Sequence, residues 1–398
     1  MLNKTLKEKN KTIATILAFA VIPISGLATD IYLPSMPNMG MVLGASESQI
    51  QLTLSLFLIS YGITQFFTGA IVDTYGRYRV SIFSLFFFVL SFWITANTSN
   101  LYLIYFMRIV QGILSGFAVV AKRAYFVDVF EGEERRHYLS IMTIVWSLAP
   151  IIAPFIGGFL QIHFDWQANF SALGIYCLVV LILELIFSGE TIKTRNPISI
   201  NFLFTSFKEM FKTVDFFYGM LICAVSYSLI MFYNLCGPFI IESTLGYSAI
   251  TTGYISLLMG LAWMCGGFFG KALINKAFLP KIKMANYLQV LFIIIMLGSS
   301  FWISTLYTLA IFAFLVHVTA GFMFNNYFSY CLGRFPHAAG IAGGLTGGVT
   351  YVLTSAISYT VVTFMKPVSQ ENLAIGYFII ALLGLGVLIM IKIRKAHH

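Results

Sequence analysis

The sequence predicts an all-α membrane protein of twelve transmembrane helices in two six-helix bundles, and three observations lead there. Twelve long apolar stretches follow one another along 398 residues, of which 59% are hydrophobic and 10% charged. On one side of those stretches lie 22 of the 24 Lys and Arg residues. One long polar break separates the first six stretches from the last six. A run of about 20 apolar residues crosses a hydrocarbon core of roughly 30 Å as a helix, and such a helix satisfies its own backbone polar groups where water is absent. With a mean hydropathy of +0.87, the chain lies far from the roughly quarter-charged composition of soluble domains.

The spans fall at about 12–35, 48–71, 79–98, 101–122, 138–162, 167–188, 215–242, 249–271, 282–303, 305–328, 339–364 and 371–392. With the N-terminus inside, the inner segments hold Lys4, Lys7, Lys9, Lys11, Arg77, Arg79, Lys122, Arg123, Arg135, Arg136, Lys193, Arg195, Lys208, Lys212, Lys271, Lys276, Lys281, Lys283, Arg334, Lys392, Arg394 and Lys395, while the outer loops hold Lys366 alone. That bias in short loops sets orientation, so both termini are expected in the cytoplasm. The formal charge of +9 is then a topology signal, and nucleic-acid binding is the weaker reading. The basic N-terminus precedes an apolar run that lacks a small-residue cleavage pattern, which reads as a retained first helix. Cys177, Cys223, Cys236, Cys265 and Cys331 sit in or beside spans without metal-ligand spacing, as buried small hydrophobes do.

The polar break divides the chain into an N-terminal bundle (1–188), a cytoplasmic linker (189–214) and a C-terminal bundle (215–398). Inside the linker, Phe202 to Phe211 mixes apolar and charged residues at helical spacing. This fits an amphipathic helix on the inner membrane surface and equally a solvated linker. In the fifth span Ala149, Ala153 and Gly157 stand four apart, and in the eleventh Gly340, Gly344 and Gly348 do the same. Such a stripe lets neighbouring backbones approach closely; it serves static packing, or halves that rock about a central site.

Ionisable groups within spans are costly and mark function. Asp30 lies in the first span beyond Pro23, and Arg108 lies in the fourth with Gln111 and Gly112 one turn away. Taking a carboxylate out of water favours its neutral form, which suits a site loading and releasing a proton; the other reading of Asp30 is an outer-interface carboxylate capped by water or a Tyr. Arg108 must face the interior and find either a carboxylate such as Asp30 or backbone carbonyls. Glu184, near the inner end of the sixth span, is expected to snorkel to the interface, and His317 in the tenth to make a helix-to-helix hydrogen bond. Between spans two and three, Asp73, Arg77 and Arg79 flank Gly76, with Asp128 as a second acceptor after span four. They form either a gate latch that holds only when the inner face is closed or a plain surface ion pair of small effect. Tyr61, Gln65, Gln111, Tyr227, Asn234, Asn325 and Asn326 are candidate cavity-lining groups.

At these residues the chain resembles the major facilitator superfamily, and within it the drug and proton antiporters related to bicyclomycin and chloramphenicol resistance proteins. The loop from Gly69 to Arg79 resembles the superfamily's signature between helices two and three, with Tyr75 and Tyr78 where basic residues are usual. Arg108-Ile109-Val110-Gln111-Gly112 is similar to the helix-four motif, whose Arg is tied to proton coupling. Ala149-Pro150-Ile151-Ile152-Ala153-Pro154-Phe155-Ile156-Gly157-Gly158 resembles the helix-five antiporter motif, and Thr29-Asp30-Ile31-Tyr32-Leu33-Pro34-Ser35-Met36-Pro37 the helix-one signature. Gly237-Pro238-Phe239-Ile240 is similar to the end of helix seven. The second half keeps no acidic residue near Gly270 to mirror Asp73, and Asp128 lacks the Arg usual just before it.

The resemblance implies the major facilitator fold and a proton-coupled secondary transporter exporting small amphiphilic or cationic compounds, with Asp30 and Arg108 coupling protons. It implies gating by Asp73, Arg77, Arg79, Asp128, Pro150, Pro154, Gly157 and Gly158. The competing expectation is a narrow-specificity proton-linked transporter of one metabolite, nutrient or siderophore. An enzyme is not expected, since no span pairs His with acidic ligands and no nucleophile stands beside a base. The expected partners are a small-molecule substrate, protons and the lipid bilayer, without cofactor, metal or nucleic acid, for a monomer in a bacterial inner membrane.

Overall fold

The computed structural model describes residues 4–192, 195, 200–335, 338–366 and 368–396. Twelve helices, or strings of helices, are long and apolar enough to cross a membrane, one for each predicted span. The first is broken into α1 (Lys11–Val21), α2 (Ile24–Asp30), a 3-10 turn at Leu33–Ser35 and α3 (Met36–Leu43). The next five are α4 (Glu47–Tyr75), α5 (Arg77–Ala96), α6 (Leu101–Val129), α7 (Gly132–Phe164) and α8 (Gln167–Phe187). After α9 (Ile200–Lys212) come α10 (Val214–Phe239), α11 (Ala249–Ala272), α12 (Phe278–Ser300), α13 (Leu306–Arg334), α14 (Ala339–Met365) and α15 (Gln370–Ala396).

The first span runs eight residues beyond its expected end at Ser35. Pro34 and Pro37 each occupy the first turn of a new helical segment, where a missing N–H costs nothing. The chain turns back only at Gly44, which takes φ 60°. Several helices also outrun the apolar stretch that announced them. Ser46 caps α4 in a reciprocal bond with Gln49, and α6, α7 and α13 continue into charged turns at the end of the molecule that carries both termini.

Large apolar side chains such as Phe83, Trp93, Phe106, Ile162, Ile175 and Tyr254 point outward, each more than a third exposed. A soluble protein does not display such a girdle; around spanning helices it is the surface that meets lipid. Inside, the two halves meet where α4 packs on α14 and α7 on α11. On α7, Gly157 lies so near the Ile31 carbonyl that a Cβ there would collide with it, and its neighbour Gly158 abuts the Ala249 carbonyl of the other half. The α7 stripe therefore binds helix one of its own half and α11 across the divide. On α14, Gly344 faces the Gln65 carbonyl and Gly348 the Phe66 ring.

Polar contacts join the halves at the end away from the termini. Gln51 Nε2 donates to the Leu235 carbonyl at 2.8 Å, Ser355 Oγ to that of Ser55 at 3.0 Å, and the Tyr359 hydroxyl to that of Ser48 at 3.4 Å. Between the halves in sequence, α9 forms the amphipathic helix, with Leu203, Ser206 and Met210 buried and Phe202, Phe204 and Phe211 exposed. Its Phe207 meets Phe66 edge to face. Linker residues 193, 194 and 196–199 lie outside the described residues.

Candidate functional site

The site begins with the breaks in the first span. Pro23 ends the hydrogen-bonding of α1, and the chain leaves α-helical geometry again at Ile31 and Tyr32. Between these breaks α2 is a short segment whose last residue is Asp30, and its free carbonyls become acceptors for other helices. Arg108 on α6 takes up one of them. Its Nη1 donates to the Ala28 carbonyl at 3.0 Å and to Gln111 Oε1 at 2.9 Å, Nε donates to the Thr53 carbonyl at 3.3 Å, and Nη2 to the Tyr32 hydroxyl at 3.5 Å. The guanidinium also lies over the Tyr32 and Phe57 rings at 4.7 and 4.5 Å. Of the two partners expected for Arg108, the structure has the backbone carbonyls.

Asp30 is buried, 3% exposed, and is not a carboxylate at the rim. Among the described residues no cation pairs with it; its hydrogen bond comes from Asn234 Nδ2 of α10, in the other half, at 3.4 Å. Arg108 and Asp30 therefore point from one neighbourhood in different directions, the guanidinium into its own half and the carboxylate toward the divide. Asp30 there lines a cavity of about 70 Å³. Helices of both halves wall it, with Tyr61 on α4, Trp146 and Pro150 on α7, Tyr227 on α10, Trp263 on α11 and Tyr351 on α14.

The aromatic rings form one continuous wall. Tyr61 meets Tyr351 edge to face at 4.8 Å between centroids, Tyr351 meets Tyr227 at 5.5 Å, and Tyr227 meets Trp263 at 5.8 Å. Of the expected cavity residues, Tyr61, Tyr227 and Asn234 line it, and so do Pro150 and Pro154 of the expected gate. Gln111 does not: it is fully buried inside its own half between Arg108 and Thr95, to whose Oγ1 it donates at 3.1 Å. Gln65 lies beside Tyr61 but off the wall. Asn325 and Asn326 turn their amides back to the Gly321 and Phe322 carbonyls of α13, both at 2.8 Å. An amide within a helix bonds its own preceding turn when no partner stands opposite, which sequence alone does not reveal. Trp146, Trp263 and Tyr351 were missed because aromatics on apolar helices read as ordinary packing.

At the terminal end, Arg77 Nη1 pairs with Asp73 at 2.6 Å and Arg77 Nε with Asp128 at 3.0 Å. Gly76, at φ 100°, makes the turn that presents Arg77. A third carboxylate absent from the expectation joins them: Glu190 Oε1 accepts from the Arg77, Thr191 and Ile192 backbone amides at 3.0, 3.1 and 3.2 Å. Its own backbone pairs with the N-terminal segment, donating to the Lys4 carbonyl at 2.7 Å and accepting from the Leu6 amide at 3.2 Å. The cluster thus ties together the turn between α4 and α5, the end of α6, the start of the linker and the N-terminus.

Glu184 does not snorkel. It is fully buried, and Lys122 Nζ, 5% exposed at its side chain, pairs with it at 2.6 Å. Both residues lie within one bundle and are paired with each other. An inner-end position hid this, because a Lys and a Glu near an interface ordinarily reach for water separately.

The sequence model of the Major Facilitator Superfamily matches residues 18–359. Over 395 residues, covering 99% of each chain, the protein is 25% identical to Multidrug resistance protein D of Escherichia coli strain K12. It is 28% identical to Multidrug resistance protein MdtL of Shewanella oneidensis, covering 95% of this chain and 94% of that one. To a bicyclomycin resistance protein homolog of Haemophilus influenzae it is 24% identical, covering 91% and 92%. Among solved structures, a POT family transporter bound to a thioalcohol-conjugated peptide superposes with a TM-score of 0.76 at 12% identity, covering 96% of both chains. A D-xylose-proton symporter superposes at 0.70 and 15% identity, covering 93% and 96%. At these identities the superpositions speak for the fold, and the family match spans most of the sequence. The chain belongs to the Major Facilitator Superfamily, as a multi-pass membrane protein of the transporter class.

Proposed function

We propose that the protein is a proton-coupled exporter of small amphiphilic or cationic compounds, working by alternating access between an N-terminal bundle (1–188) and a C-terminal bundle (215–398) joined by the 189–214 linker. The observation that carries this reading is Asp30: a buried carboxylate without a paired cation among the described residues, placed at the divide and bonded only from the opposite half. Such a group can accept either a proton or a cationic substrate, and competition between the two is the minimum machinery of antiport. Arg108, held by its own half, supplies fixed positive charge near Asp30 without neutralising it. The wall of Tyr61, Tyr351, Tyr227 and Trp263 offers ring faces, which attract cations by about 0.5–2 kcal/mol each.

Relatives named for multidrug and bicyclomycin resistance support export over uptake. The cavity of about 70 Å³ is below the roughly 300–1,000 Å³ of drug-sized sites, so substrate is held in a more open state than this one. In our reading both termini face the cytoplasm of a bacterial inner membrane, the protein acts as a monomer, and the Asp73–Arg77–Asp128 cluster with Arg79 latches the cytoplasmic end. Pro150, Pro154, Gly157 and Gly158 form the surface on which the halves rock.

The test is substrate-driven proton flux in proteoliposomes of defined orientation. Asp30→Asn keeps the shape and the hydrogen bond but cannot ionise, and it is expected to abolish the flux. A flux equal to wild type in Asp30→Asn overturns the proton site, and co-directional movement of proton and substrate overturns export. A panel of toxic compounds offered to cells separates broad from narrow range; protection against a single compound favours the one-metabolite reading.

A further inference from the structure

His317 lines the same cavity from α13, and nothing above gives it a task. Its Nδ1 lies 2.8 Å from the Ala313 carbonyl oxygen, one turn back on the same helix. A carbonyl only accepts, so Nδ1 carries the proton, and in the neutral ring Nε2 holds the lone pair. The expected bond to another helix is therefore absent. Nε2 is buried without a hydrogen-bond partner among the described residues, and His317 itself has no exposed surface. The ring packed against it, Tyr233, stands at 90° and 5.3 Å between centroids. Its hydroxyl is also without a partner, so the two polar atoms do not bond each other.

A buried acceptor without a donor is unfavourable, and a donor brought in by a ligand removes that penalty. Across the cavity Asp30 offers a second acceptor, engaged among the described residues by the long Asn234 bond. Each half of the molecule thus places one acceptor on a shared cavity with an aromatic wall. We propose that His317 Nε2 is a substrate-binding acceptor that takes an N–H from a cationic substrate, so that the site prefers ammonium or amidinium groups bearing N–H bonds over fully alkylated cations. This rests on the reading of the protein as an exporter of cationic compounds. It adds to that reading an acceptor in the opposite half, beyond the preference for N–H-bearing cations that the Asp30 carboxylate already gives.

The test uses the purified full-length protein and two fluorescent cations that differ by one methyl group, protonated N,N-dimethyl-2-naphthylmethylamine and its quaternary trimethylammonium analogue, at neutral pH. His317→Phe keeps a ring against Tyr233 and removes the acceptor; His317→Gln restores an acceptor in a different shape. Wild type should bind the protonated amine more tightly. His317→Phe should weaken the amine by about tenfold, the size of one hydrogen bond to a charged group, and leave the quaternary cation unchanged, with His317→Gln recovering part of the loss. No loss for either cation, or equal loss for both in a variant that keeps the wild-type unfolding midpoint, overturns the role of His317 while the cation site stands. If wild type binds neither cation, both this inference and the substrate class beneath it fall. The quaternary cation also reports folding in each variant, since a misfolded protein loses it.

Discussion

Arg108 has no exposed surface, and the shape of its head group decides what a substitution does there. The planar fork reaches two backbone carbonyls, an amide oxygen and a hydroxyl while two aromatic rings cover its faces. Lysine keeps the charge but not the fork or the stacking. Arg108→Lys is expected to lose at least one charge-assisted bond, worth about 1.5–3 kcal/mol, to unfold at a lower temperature in detergent, and to transport poorly; wild-type midpoint and flux in this variant would refute the assignment. The buried Lys122–Glu184 pair behaves differently, because its members serve each other. Glu184→Gln alone should destabilise by about 3–5 kcal/mol, whereas Lys122→Met combined with Glu184→Met should return close to wild type. A double-mutant cycle on the unfolding midpoint measures this, and additive losses would show that the two charges are independent. Asp30 and Arg108 were legible in the sequence because a charge within an apolar run is conspicuous. Their separation was not, since which way a side chain turns depends on the break at Ile31 that leaves the Ala28 carbonyl to Arg108.

Among the helices, legibility follows the length of the apolar signal. Each predicted span appears as a membrane-length segment because twenty apolar residues have few other places to go. Their ends shifted where polar turns extend a helix past the hydrocarbon, as in α6 and α13, and where the first span continues as new segments begun at Pro34 and Pro37. The stripes of small residues showed that close packing would occur but not against what. Gly157 decides how near α7 comes to the Ile31 carbonyl and hence how Asp30 is presented. Gly157→Val is expected to separate α7 from the first span and remove transport while leaving a protein that inserts and purifies; full transport by the valine variant would mean that this contact has no part in presenting Asp30. The cluster around Glu190 was invisible for another reason, since it joins residues more than a hundred apart in sequence, Arg77 and Glu190, through backbone amides that carry no side-chain signature.

The molecule as a whole is joined by polar contacts between its halves at the end away from its termini. Three hydrogen bonds cross between the halves there, from Gln51, Ser355 and Tyr359, and each contributes about 0.5–1.5 kcal/mol net. Breaking them costs about their sum, which adds to the apolar packing of α4 against α14. A proton crossing the membrane supplies about 2.3 kcal/mol per 100 mV, which is the same order. If the halves alternate, these residues must part once in every turnover. Ser55 and Ser355 are joined by one of those bonds and belong to different halves, so cysteines placed at both positions and bridged by a short bifunctional thiol reagent would hold the far end shut. Neither residue lines the cavity, and substrate binding from the terminal side should persist in the bridged protein. Transport and proton flux should both stop, and cleaving a reducible bridge should restore them together. Continued turnover with the bridge intact would mean that the far ends never separate, and alternating access between two rocking halves would have to be given up for this chain.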